Sequence, residues 1–228
     1  MSAFEGLLPA GAVIVEAEPA FWNEGLFPEE RACVARAVLG RVREFTAGRN
    51  CARRALEQLG VPAAPILVGA HREPLWPAGI AGSITHTSDY CAAAALRTGS
   101  VLSLGVDAEP DVPLAAELLA SIADREEQVM LGALSARAYG HWDKLLFCIK
   151  EAFFKAFFPL SGQFIDFHAA RAVIEGTDAA TGSFRIGVKH SKLGYFRDRA
   201  FTGAYAFRRG LVLAALALPA AAESPTGR

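Results

Sequence analysis

The sequence predicts an α+β protein built from two similar halves packed together. Each half reads as a long helix followed by several strands, at 41–59 and again at 141–158. At 228 residues the chain suits one large domain or two small ones. No segment is long and apolar enough for a bilayer: 211–218 stops at Pro219, where roughly 20 residues are needed. Composition agrees with a soluble globule, 52% hydrophobic and 21% charged with a net charge of −1. That balance excludes general attraction to nucleic acid or an anionic membrane, and leaves local basic patches open. The first 20 residues carry Glu5, Glu16 and Glu18 and no Lys or Arg, unlike a signal peptide. Cys33, Cys51, Cys91 and Cys148 lie far apart, as reduced thiols of a cytoplasmic protein do.

Residues 12–17 (AVIVEA) alternate as a strand, and 28–39 and 41–59 read as helices closed by Gly60 and Pro62. Strand signals follow at 65–68, 82–85, 91–96 and 103–106, then a weaker helical region at 111–139. The helix 141–158 ends before Pro159, and strands follow at 171–175, 183–189, 200–207 and 211–218. The last two form a hairpin across Arg208-Arg209-Gly210. The expected division is 1–112, 113–219 and a frayed tail at 220–228, with a site at the junction of the halves.

Charge is segregated. Residues 31–54 hold seven arginines and one acid, 107–127 seven acids and one base, and 185–209 seven bases and one acid. Each block taken alone reads as a solvated face. Three blocks of alternating sign also suit an anionic ligand held through a metal. The helix HWDKLLFCIKEAFFKAFF is apolar in every direction and therefore buried. Its Lys150, Glu151 and Lys155 are then held in or beside the core, where unpaired charge is costly. Glu151 and Lys155 share a face with Lys144, and Lys150 is turned about 100° away. An internal Glu151–Lys155 ion pair is the plain alternative to a functional role.

Asp107 and Glu109 close an apolar strand and point to one face, a hard-oxygen pair suited to Mg²⁺. On 41–59, Arg49 and Arg41 fall on the apolar side with Phe45, whereas Arg43 and Arg54 face solvent. Such inward arginines need an anion, either a phosphate or an internal acid. His86 follows Gly82-Ser83-Ile84-Thr85, where small residues allow a phosphate close to the backbone. His71, His141, His168 and His190 lack that setting and read as structural.

Gly82-Ser83-Ile84-Thr85-His86, Gly105-Val106-Asp107-Ala108-Glu109 and Trp142-Asp143-Lys144 running into Lys150-Glu151-Ala152-Phe153-Phe154-Lys155 together resemble the 4′-phosphopantetheinyl transferases. Trp76-Pro77 and Phe157-Phe158-Pro159 make the branch of enterobactin synthase component D and the mycobacterial enzyme the nearest likeness. The match runs from about Arg41 to Pro159. The resemblance implies a pseudo-dimer of two α+β subdomains with coenzyme A in the cleft between them. It implies transfer of the 4′-phosphopantetheine arm to a serine of an acyl, peptidyl or aryl carrier protein, with release of adenosine 3′,5′-bisphosphate.

By position, Asp107, Glu109 and Glu151 match the family's Mg²⁺-site acids, with Mn²⁺ acceptable to the same oxygens. Lys150 and Lys155 match the lysines near the pyrophosphate, with Glu151 as general base. Arg41, Arg49 and His86 match positions that hold the 3′-phosphate, and Thr85 lies beside the nucleotide. One departure is Val68-Gly69 where many relatives have a lysine, leaving Arg72 or His71 as substitute. A monomer is expected, because the pseudo-dimer supplies both halves of the site. Carrier domains are acidic around the modified serine, so 185–209 is a candidate docking surface, with 111–139 as its apolar contact. A Mg²⁺-dependent nucleotide phosphohydrolase and a non-catalytic coenzyme A- or carrier-binding module are the competing readings.

Overall fold

The computed structural model describes residues 2–136, 139–176, 180–189 and 194–220. Most of the expected tail, 221–228, and His190 lie outside the described residues. The first half comprises β1 (Val13–Glu16), α1 (Pro28–Cys33), α2 (Leu39–Gln58), β2 (Ile80–His86) and β3 (Cys91–Arg97). Its strands form an antiparallel sheet in the order β1-β3-β2. α2 packs across one face, burying Ala47, Cys51, Ala55 and Leu56 with Ala93 and Ala95 of β3. The run of alanines in β3 keeps its surface low, so the helix lies close.

The second half comprises β4 (Val101–Pro110), α3 (Ala116–Ile122), α4 (Arg125–Leu134) and α5 (Trp142–Ser161), then β5 (Ala170–Glu175), β6 (Thr181–Val188), β7 (Phe201–Arg208) and β8 (Leu211–Pro219). Its sheet is antiparallel in the order β4-β8-β7-β6-β5. The expected boundary at 112 puts β4 with the first half, but its backbone pairing with β8 puts it in the second sheet.

β4 serves both halves because both its faces are covered. Leu104, Val106 and Ala108 enter a core shared with β3, β8 and the N-terminal Phe4 and Leu7. Gly105, Asp107 and Glu109 alternate to the other face, toward α5. A Cβ on Gly105 would come 1.9 Å from the carbonyl oxygen of Ala152. Only glycine lets α5 lie this near the strand that carries the acids.

No residue of α5 from Trp142 to Phe158 is exposed, as its apolar coverage predicts. The helix does not end before Pro159. It continues to Ser161 and closes on Gly162, whose φ is 63° and whose N–H donates to the Phe158 carbonyl at 2.9 Å. In this last turn proline removes a single helical hydrogen bond.

Three further expectations change. Residues 65–68 form no strand, only a bridge between Val68 and Pro74. Side chains take the backbone groups there: Ile66 N–H donates to Glu30 at 2.9 Å, and its carbonyl accepts from Arg49 Nε at 2.6 Å. The helix expected at 28–39 stops at Cys33, and α2 starts at Leu39. The weak region 111–139 contains two helices, separated by Asp124. The hairpin at 208–211 forms as expected, with Arg209 (φ 54°) and Gly210 (φ 70°) both in the left-handed region that its two-residue turn requires.

Asp124 caps α4: its Oδ1 accepts from Glu127 N–H at 2.9 Å, and Glu127 accepts from Asp124 N–H at 2.9 Å. Its Oδ2 accepts from Lys189 at 2.7 Å and Arg171 at 3.1 Å. Burial pushes the Asp124 carboxyl up, but these donors outweigh it and hold the carboxyl below the usual range. A depressed carboxylate stabilises above its unfolded pKa, and that stability is lost as pH falls through its folded pKa. Asp124→Ala is expected to cost about 1–2 kcal/mol at neutral pH. The gap in melting temperature to the wild type should narrow as melts are repeated below about pH 4. A gap unchanged with pH would show that the charge contributes nothing.

Candidate active site

A cleft of about 550 Å³ lies between the halves, where the sequence places the site. One wall is α2 and β2, through Arg41, Glu44, Arg49, Ile84 and His86. The opposite wall is α5, through Glu151, Phe154 and Lys155, which helical spacing brings to one face. The loop 68–76 closes one end. Five permanent cations (Arg36, Arg41, Arg49, Arg72 and Lys155) face three carboxylates (Glu44, Glu73 and Glu151). The excess of positive charge suits a polyanion.

Arg41 Nη1 lies 2.7 Å from His86 Nε2 and 3.3 Å from Glu44. A guanidinium only donates, so Nε2 accepts and the imidazole is neutral. Burial and the Arg41 charge push the His86 pKa down, in agreement. Its Nδ1 faces Glu44 at 3.5 Å. Arg49 is buried, as the helical wheel predicts, and burial lowers its pKa to about 10, so it stays charged at neutral pH. Its Nε is committed to the Ile66 carbonyl, and its guanidinium lies 4.2 Å over the Phe45 ring. Arg41, also expected inward, is exposed at the mouth of the cleft.

At the departure, Val68, His71, Arg72 and Glu73 of the loop all line the cleft. The Glu73 carboxylate folds over Gly69, where a Cβ would come within 2.0 Å of its oxygen, and it accepts from the His71 N–H at 2.9 Å. A side chain at position 69 would make the flexible Glu73 carboxylate swing away from the His71 N–H. Arg72 faces the cleft in a left-handed conformation (φ 71°) that is strained for a non-glycine. His71, read as structural or as a substitute for the lysine, lines the cleft and packs edge-on against Phe158 and Phe164. His141 is structural as expected, paired with Asp111 at 2.9 Å.

Asp107 is buried beneath α5. Its Oδ1 accepts from Lys155 Nζ at 2.6 Å and from the Thr85 hydroxyl at 3.1 Å, whereas its Oδ2 is buried with no hydrogen-bond partner. Glu109 lies 3.7 Å from Lys144 Nζ. Burial, and then the charge of Asp107, raise the pKa of both Glu109 and Glu151. Burial and the same charge push the Cys148 thiol up. Burial pulls Lys155 down, but Asp107 and Glu151 outweigh it and keep the ammonium charged.

Among the described residues no three His, Cys, Asp or Glu side chains stand grouped as a ready-made metal cage. The donors nevertheless fit a hard divalent cation: all are carboxylate oxygens, they repel one another, and Asp107 offers an orphaned oxygen.

Four expected site residues do not line the cleft: Asp107 and Glu109, which lie on β4 beneath α5, and Lys150 and Thr85. Lys150 borders a side pocket of about 210 Å³, but its Nζ turns into the core. There it donates to Glu127 at 2.7 Å and to the carbonyls of Ile122 and Phe167 at 2.7 and 2.8 Å. Turned 100° from Glu151, it meets α4 rather than the cleft. Thr85 is buried against β4 and does not line the cleft, because strand alternation turns it away from His86.

The basic block 185–209 is largely engaged. Arg185 pairs with Glu175, Lys189 with Asp124 and Arg209 with Glu16, while Arg208 donates to the carbonyls of Ala3 and Glu5. Arg199 stacks on Tyr195 and Phe201. Sequence reasoning missed Glu44, Trp76 and Phe154 as cleft residues. Phe154 could have been found, since it stands between Glu151 and Lys155 on the same helix.

Comparison with known proteins agrees with this geometry. The family model of the 4′-phosphopantetheinyl transferase N-terminal domain matches residues 29–96, and that of the 4′-phosphopantetheinyl transferase superfamily matches 103–212. The two models divide between β3 and β4, where the sheets divide. The chain is 44% identical to the 4′-phosphopantetheinyl transferase Svp of Streptomyces mobaraensis, covering 86% of this chain and 80% of that protein. It is 43% identical to the 4′-phosphopantetheinyl transferase PptT of Mycobacterium tuberculosis, over 84% and 85% of the two chains. It is 41% identical to enterobactin synthase component D of Salmonella typhi, over 51% and 48%. With both halves matched in order and the motif residues of α2, β2 and α5 lining one cleft, the chain belongs to the 4′-phosphopantetheinyl transferase superfamily.

Proposed function

We propose that the protein transfers the 4′-phosphopantetheine arm of coenzyme A to a serine of an apo acyl, peptidyl or aryl carrier protein, as a monomer. One observation carries the reading: Glu151 and Lys155 of one half face Arg41 and His86 of the other across a single cationic cleft. Coenzyme A is a polyanion with a phosphate at each end of its nucleotide, and its 3′-phosphate is assigned to Arg41, Arg72 and His86. Arg49 supplies charge from the wall behind them.

In the reaction the serine Oγ forms a bond to the β-phosphorus, and the bond from that phosphorus to the bridging oxygen breaks. The electron pair leaves with adenosine 3′,5′-bisphosphate. Glu151 takes the serine proton, and its raised pKa makes it a better base than an ordinary carboxylate. Lys155 holds Asp107 and places an ammonium beside the transferring phosphate. Asp107, Glu109 and Glu151 would hold Mg²⁺, which supplies charge neutralisation to the pyrophosphate oxygens.

The test is to incubate the protein with coenzyme A, Mg²⁺ and an apo carrier, and to weigh the carrier. A gain of one phosphopantetheine arm is expected. Bisphosphate release with the carrier unchanged would assign hydrolysis instead, and coenzyme A binding without either product a non-catalytic role.

A further inference from the structure

We infer that Thr85 is a positioning residue that orients Asp107 for a cation, and that it does so across the junction of the two halves. β2 and β4 are not partners in a backbone ladder, yet they lie side by side and are joined by two hydroxyls. Ser83 Oγ accepts from Val106 N–H at 3.1 Å and lies 3.4 Å from the Val106 carbonyl. One step on, Thr85 Oγ1 accepts from Ala108 N–H at 2.9 Å and donates to Asp107 Oδ1 at 3.1 Å. A hydroxyl has one proton, and that of Thr85 is spent on the carboxylate.

Asp107 Oδ1 is therefore held by two donors from opposite halves, Thr85 from β2 and Lys155 from α5. Two donors on one oxygen fix the rotation of the carboxylate and leave Oδ2, which is buried and makes no hydrogen bond, as the oxygen left for a cation, with the Cys148 thiol also against the carboxylate. Lys155 alone cannot fix it, because an ammonium on a flexible stem follows the carboxylate as it turns. Thr85 is 1% exposed and its backbone is paired with Ala92, so it has no such freedom. The same strand carries His86 on its cleft face, so one strand sets both the nucleotide end and the acid end of the site.

This inference rests on the proposed metal site, and its test separates the two. Thr85→Val removes the hydroxyl at nearly constant volume, and Thr85→Ser keeps it. Mn²⁺ binding to the free protein, measured by calorimetry, is expected to weaken about 10–100-fold in Thr85→Val and to stay near wild type in Thr85→Ser. In the transfer assay Thr85→Val should need correspondingly more Mg²⁺, with KM for coenzyme A within about twofold of wild type. Thr85→Ala gives the same two readouts should the valine variant fail to fold. Wild-type Mn²⁺ affinity in the hydroxyl-free variants, or a raised KM for coenzyme A with metal binding intact, overturns the inference. Failure of the wild type to modify any carrier would instead count against the proposed function, and the Mn²⁺ measurement would still decide the role of Thr85.

Discussion

Glu151→Gln is expected to lower kcat for arm transfer by about 10²–10⁴-fold, the contribution of a positioned general base. It should do so in a protein that melts no lower than the wild type at neutral pH. Burial and the charges of Asp107 and Glu109 raise the Glu151 pKa, and Lys155 offsets them only in part. A carboxyl whose folded pKa is raised contributes its full stability below the unfolded value and loses it as pH rises through the folded value. At neutral pH the wild type is therefore above the range in which Glu151 favours the fold, and glutamine removes that penalty. The difference in melting temperature should disappear near pH 4, where both side chains are neutral. Transfer followed by carrier mass, with calorimetry at the two pH values, measures both. A near-wild-type kcat would remove Glu151 as the base, and a lower melting temperature at neutral pH would make it structural.

The parts of the fold that rest on local pattern were legible. α5 announces its burial by being apolar in every direction, and no residue of its first 17 is exposed. Gly210 marks the last hairpin, and alternation in β2 and β4 marks which residues share a face. What depends on distant partners was not legible. The strand expected at 65–68 fails because Glu30 and Arg49, far away in sequence, take its backbone groups. β4 reads as the end of the first half because its pairing with β8 spans about a hundred residues of chain.

The same division holds for the site. Helical spacing correctly joined Glu151 to Lys155 and set Lys150 apart, and resemblance alone placed Lys150 near the pyrophosphate. Strand alternation could have warned that Thr85 and His86, as neighbours in β2, do not both face one cleft. Asp124-x-x-Glu127 is a capping box readable from sequence, and it would have divided 111–139 into two helices. Nothing local revealed that Glu127 is also the partner of Lys150.

That partnership carries the second large effect. Lys150→Met is expected to destabilise the protein by about 3–5 kcal/mol, because it leaves the Glu127 carboxylate buried without its cation. Both side chains are 1% exposed, so solvent offers no replacement. For a chain of this length the loss corresponds to a fall in melting temperature on the order of 10 °C. Glu127 also accepts from Asp124 N–H and from Ala172 N–H, so the right second change keeps its shape and removes its charge. Lys150→Met with Glu127→Gln should recover part of the loss, with a coupling of about 1–3 kcal/mol in the double-mutant cycle. At temperatures where both variants stay folded, kcat should remain within a few fold of wild type, since Nζ of Lys150 donates to α4 and two carbonyls rather than into the cleft. The opposite pattern, an unchanged melting temperature with kcat lowered 10²-fold or more, would return Lys150 to the phosphates. Thermal melts and single-turnover transfer on the three variants separate a lysine that holds the helix from one that serves the reaction.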